Sequence, residues 1–142
     1  MKGKRWLTIS FLCYLAVLLR ITVFRSGFGT HGFCTGGTVN LKLFVGYLPL
    51  IQAHSWGRFV YLFAGNLVWF VPLGMYVRYR KVTKGILWAA VIGFALSFFI
   101  ETMQYLFGTG VSELDDLILN TAGAVFGAVI CEKFNKYISR LF

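Results

Sequence analysis

Acidic residues are scarce: five in 142, four of them (Glu101, Glu113, Asp115 and Asp116) lying between positions 101 and 116. Counting Lys and Arg as well, only 13% of the chain is charged while 58% is hydrophobic. Soluble domains run near 25% charged and about 45–50% apolar. A soluble core of this length has no room for so much apolar surface, which argues for a bilayer as part of the solvent. Proline is nearly absent, so only Pro49 and Pro72 interrupt the chain. Catalytic templates are missing too: there is no G-x-S-x-G, no H-E-x-x-H and no phosphate loop. The three cysteines, Cys13, Cys34 and Cys131, match no zinc or redox spacing. Cys13 and Cys131 fall in apolar runs and are expected to pack as small hydrophobes. His31 and His54 have no further ligands at metal spacing, so neither metal nor cofactor is expected.

What the chain does have is apolar length. Four runs, about 6–24, 59–77, 86–107 and 116–134, approach the roughly 17–25 residues that cross a hydrocarbon core of about 30 Å. The expected fold is therefore all-α: one integral membrane domain over 1–142, built as a bundle of four transmembrane helices. Lys2, Lys4 and Arg5 open the first run as they would a signal peptide. No A-x-A site follows, however, and Arg20 interrupts the apolar stretch, so a retained helix is expected. The longest connection, 25–58, is Gly-rich and polar at first and apolar from Val39 to Ile51. That apolar part is too short to span, and an interfacial or partly re-entrant segment ending near Pro49 is expected. Pro72 should kink the second helix. Gly123 and Gly127 form a G-x-x-x-G read as a packing surface rather than a dimerisation motif.

The net charge of +9 points to nucleic acid or to a membrane surface, and the placement of the basic residues decides. With the N-terminus inside, the cytoplasmic segments hold Lys2, Lys4, Arg5, Arg78, Arg80, Lys81, Lys84, Lys133, Lys136 and Arg140. The outer segments hold only Arg25, Lys42 and Arg58. This bias puts both termini in the cytoplasm and the long loop outside. It also makes membrane lipids, not nucleic acid, the expected partner.

Each run carries a polar residue at a similar depth. At 1.5 Å rise per residue, Arg20 and Asn120 lie roughly 6 Å, Glu101 roughly 9 Å and Asn66 roughly 10 Å below the outer ends of their helices. Such groups usually face a bundle interior and find partners. Arg20 is the expected partner of Glu101 or Asp116, Gln104 shares a face with Glu101, and Asn120 shares one with Asp116. The candidate polar layer is Arg20, Asn66, Glu101, Gln104, Asp115, Asp116 and Asn120, with Glu101 and Asp116 as the candidates for any acid–base work. Structural roles compete at each position. Asp115 and Asp116 can cap the fourth helix, Arg20–Glu101 can be a structural tie, and Asn66 and Gln104 can be interhelical hydrogen-bond links. Arg25 and Arg58 read as helix ends at the headgroup level, and Glu113 as a solvated loop charge.

In order along the chain stand Tyr14-Leu15, Leu18-Leu19 and Thr22-Val23-Phe24-Arg25; Asn40-Leu41-Lys42-Leu43-Phe44; Asn66 with Phe70-Val71-Pro72-Leu73-Gly74; Glu101-Thr102-Met103-Gln104; and Glu113 to Gly123, reading E-L-D-D-L-I-L-N-T-A-G. This series resembles the VanZ-like family of small bacterial membrane proteins over almost the whole chain. The E-x-x-Q followed by D-D-x-x-x-N-T-x-G is its most specific part. The resemblance implies a multi-pass protein of the bacterial cell membrane with a part in resistance to the glycopeptide teicoplanin; it brings no established reaction. The chain departs from the family pattern in having Glu113 where Asp is frequent, and Val111-Ser112 where an Arg is frequent. Three readings of function follow: binding or masking of an amphiphile (a lipid-linked cell-wall precursor or a lipoglycopeptide) at the outer leaflet; intramembrane hydrolysis or transfer on such a precursor; and transport by a small oligomer.

Overall fold

A computed structural model describes residues 2–25, 28–30, 32–34, 36–80 and 85–141. Ser26, Gly27, His31, Lys81 and Lys84, and the side chains of Lys2, Lys4, Lys136 and Arg140, lie outside this description. The elements in order are α1 (Lys2–Thr22), β1 (Thr38–Asn40), α2 (Leu48–Gln52), α3 (Trp56–Tyr79), α4 (Leu87–Phe107), β2 (Val111–Glu113) and α5 (Leu114–Leu141). Among the described residues, four helices are long and apolar enough to cross a membrane, over Arg5–Thr22, Trp56–Tyr79, Leu87–Phe107 and Leu114–Asn135. The chain is thus a mostly helical, multi-pass membrane protein. The ends of the spans shift from the sequence reading by up to three residues, most of all where α3 begins at Trp56; α5 begins at Leu114 and takes both aspartates into its first turn.

The chain forms two compact units, Met1–Asn40 with Phe98–Ser112, and Leu41–Ser97 with Glu113–Phe142. In the first, Leu18, Val23 and Ile100 are buried. Trp6, Ile9, Leu12, Val17 and Ile21 stay exposed around α1, as suits a helix whose surroundings are lipid. Cys13 also faces outward. β1 pairs with β2, a three-residue ladder that no sequence pattern announces. α4 ends in a Schellman turn: Gly108 adopts φ +60°, its N–H donates to Tyr105 O (3.3 Å), and the Thr109 N–H donates to Gln104 O (3.1 Å).

In the second unit α3 packs along α5, and small residues set the distance. A Cβ on Gly74 would meet the Ala124 carbonyl at 1.8 Å, one on Gly123 the Leu67 carbonyl at 2.1 Å, and one on Gly127 the Val71 carbonyl at 2.1 Å. The G-x-x-x-G is therefore a packing surface inside the chain, backbone against backbone. Pro72 stands inside α3, which runs on to Tyr79. The apolar 39–51 stretch contains β1's last residues, turns and most of α2, with Pro49, near the segment's end, in the first turn of that helix. Leu41, Leu43, Phe44, Val45 and Leu48 are exposed there.

Candidate functional site

Polar side chains inside apolar spans are held because hydrocarbon offers them no other partner. In the second unit, three helices each contribute. Asn66 of α3 donates through Nδ2 to Oδ1 of Asp116 on α5. Asn120, one turn further along α5, donates to Oγ of Ser97 on α4 at 2.9 Å. The Ser97 hydroxyl in turn reaches the Asp116 carbonyl at 3.4 Å. Ser97 is fully buried and Asn120 nearly so. The sequence reading joined Asn120 to Asp116 by helical spacing, and the structure adds Ser97 as the link between them. Ser97 carries no signal of its own in the sequence, because serine is unremarkable in a span.

Asp115 does something other than cap its own helix. Both its oxygens accept the Phe44 N–H, at 3.0 and 2.9 Å, and the residue is buried. Phe44 sits at φ +57°, a conformation costly for a residue with a Cβ, so the carboxylate fastens a strained turn. Three residues on, Tyr47 is buried among Phe59 and Phe63, ring centroids 5.8 Å from each, and its phenol feels the Asn66 side chain. Asp115 and Tyr47 thus bind the 41–47 loop to the start of α5 and to α3.

Tyr47 feels its surroundings electrically. Burial first, then the charges of Asp116, Asp115 and Glu113, push its phenol from 10.0 up to about 12, with the Asn66 side chain opposing them. Both main causes disfavour phenolate. The neutral phenol therefore contributes stability that is whole below pH 10 and is lost as pH rises through about 12. An ultraviolet phenolate titration of wild type against Tyr47→Phe should show one fewer tyrosine ionising in the variant only near that upper value. A missing ionisation at the ordinary value would mean that Tyr47 is not buried beside these acids.

In the first unit Glu101 and Gln104 are both buried on α4. Gln104 donates through Nε2 to the Thr22 carbonyl of α1 at 3.3 Å, a bond of the kind that its competing structural role would make. Arg20 is exposed and donates to the Phe24 carbonyl just past its own helix. Arg25, expected only to mark a helix end, reaches over the turn after α4: its Nε donates to the Thr109 carbonyl. Nη2 lies 1.8 Å from where a Cβ on Gly110 would stand. Of the seven candidate residues, Asn66, Asp115, Asp116 and Asn120 belong to the second unit and Arg20, Glu101 and Gln104 to the first. Among the described residues, no three His, Cys, Asp or Glu side chains come together as metal ligands.

The profile of the family described as VanZ/LLP1 matches residues 11–135, which include every one of these side chains. The chain belongs to the VanZ/LLP1 family. Neither a curated protein nor a solved structure matches it. In this VanZ/LLP1 member the E-x-x-Q and D-D-x-x-x-N stretches fall one in each unit. The E-x-x-Q supplies Glu101 and Gln104 to the first. The D-D-x-x-x-N supplies the loop latch and the Asn66–Asp116, Asn120–Ser97 pairs to the second.

Proposed function

We propose that this VanZ/LLP1 protein resides in the bacterial cell membrane with both termini cytoplasmic. There it protects against teicoplanin by binding or masking an amphiphile at the outer leaflet. The observation that carries this reading is the joined set Asn66–Asp116 and Asn120–Ser97, polar side chains of three helices held inside otherwise apolar spans. Each such group is costly in a span, whereas the hydrogen bonds between them are worth only about 0.6 kcal/mol on average. Packing alone would be served better by apolar residues, and the arrangement suits recognition of a polar group on a membrane-level ligand. Teicoplanin carries an acyl chain, which gives a membrane-level site a way to tell it from vancomycin.

The test is a paired susceptibility measurement in a sensitive Gram-positive host. Wild type should raise tolerance of teicoplanin but not of vancomycin. A Glu101→Gln/Asp116→Asn double variant at the same membrane level should lose that protection. Full protection by the variant would remove these carboxylates from the working site.

A further inference from the structure

The first unit contains a polar atom that its fold leaves unused. Oγ1 of Thr109 is buried with no hydrogen-bond partner, in a residue only 8% exposed. Buried hydroxyls nearly always find a partner, so an orphan asks for an explanation. Over the same turn lies Arg25, an exposed residue tethered through Nε alone. Among the described residues its two terminal nitrogens engage no acceptor, and Gly110 has no side chain to displace the guanidinium from its seat. Beside it runs a chain of rings: Phe24 against Phe28 (4.8 Å), Phe28 against Phe107 (4.6 Å) and Phe33 against Phe107 (5.8 Å). Phe24, Phe28 and Phe33 are exposed. The spans Arg5–Thr22 and Leu87–Phe107 end here, which sets Arg25 and Thr109 just beyond hydrocarbon.

We propose that the Arg25–Thr109 corner binds the phosphate of an anionic membrane lipid. The guanidinium fork matches two phosphate oxygens. In swinging toward them, held by one bond, it uncovers the Thr109 hydroxyl, which donates to a third. The exposed phenylalanines lie along the acyl chains. The C-terminal dipole of α4 disfavours an anion at this place. Arg20 and Arg25 together outweigh it and the single buried carboxylate of the unit, Glu101, and the balance selects a negatively charged headgroup over a zwitterionic one. A lipid resident at this corner is independent of protection against teicoplanin, and lipid binding rather than drug tolerance measures it.

The experiment is native mass spectrometry of the full chain in neutral detergent, titrated with phosphatidylglycerol, phosphatidylcholine or inorganic phosphate. Wild type should prefer phosphatidylglycerol to phosphatidylcholine by about tenfold, the scale of one charge-assisted hydrogen bond. Arg25→Gln should abolish that preference, and Arg25→Lys, which keeps the charge without the fork, should retain part of it. Thr109→Val should weaken it several-fold while leaving the lipid-free melting temperature equal or higher, since the hydroxyl it removes bonds nothing in that state. Arg58→Gln, an exposed arginine of the other unit, should change nothing. The proposal is overturned if wild type shows no headgroup preference, or if Arg25→Gln and Thr109→Val retain it. It is equally overturned if Arg58→Gln loses it, if phosphate displaces the lipid mole for mole, or if Thr109→Val melts lower.

Discussion

Gly127→Val is expected to pry α3 from α5 and destabilise the protein by about 3 kcal/mol, the upper part of the range for overpacking. A Cβ at Gly127 would stand 2.1 Å from the Val71 carbonyl oxygen and 2.9 Å from its carbon. Both are helix backbone, which cannot rotate away as a side chain can. The helices must part by roughly 1 Å, and a gap of that size forfeits a quarter to a half of each dispersion contact along the seam. Ala124 and Ala128, fully buried on the same helix, would lose their neighbours together. Gly65→Val is the matched control, since nothing lies within 4 Å of its Cβ. Heat or denaturant unfolding in a mild detergent measures both. Equal midpoints for the two variants would mean that α3 and α5 do not touch through their backbones.

Asp115→Leu should release the 41–47 loop. The variant leaves the Phe44 N–H without its acceptor, at about 1–3 kcal/mol. It also removes what holds Phe44 in a left-handed conformation that itself costs about 1–2 kcal/mol. Freed of the carboxylate, the turn relaxes instead of staying strained. Hydrogen exchange should then accelerate at Phe44 by about tenfold to a hundredfold, with Tyr47 loosening from Asn66. Asp115→Asn retains one acceptor oxygen and should fall between the two. Unchanged exchange in Asp115→Leu would show that the loop is held by its aromatic contacts alone. The two experiments separate the seam of the second unit from its loop latch, which share α5 but no side chain.

The spans were legible because apolar length is a local property of the chain. Their ends were less so. Trp56 and Arg58 are compatible with either a loop or a first turn, and the structure makes them helix. Asn66, Glu101, Gln104 and Asn120 stood out as polar residues in apolar runs. Their partners did not, because a partner is set by the packing of helices rather than by spacing along one. Ser97 and Tyr47 carry no sequence signal of that kind. Arg25 announced itself only as a charge at a helix end, and the carbonyl it binds is 84 positions away. The two strands are too short for a period-2 pattern to register. Asp115 looked like a cap because carboxylates favour helix N-termini; what claimed it was an amide 71 residues earlier in the chain.

That last separation has a consequence for how the protein is made. Phe44 is synthesised long before Asp115, so while the second and third spans are being threaded its turn lacks the carboxylate and has only the ring contacts of Tyr47 with α3. The Asp115–Phe44 bond can form only once the final helix has been made, and a ribosome halted before residue 115 leaves the Phe44 N–H without this acceptor. The tie between Asp115 and Phe44 thus reports that synthesis has reached the last span.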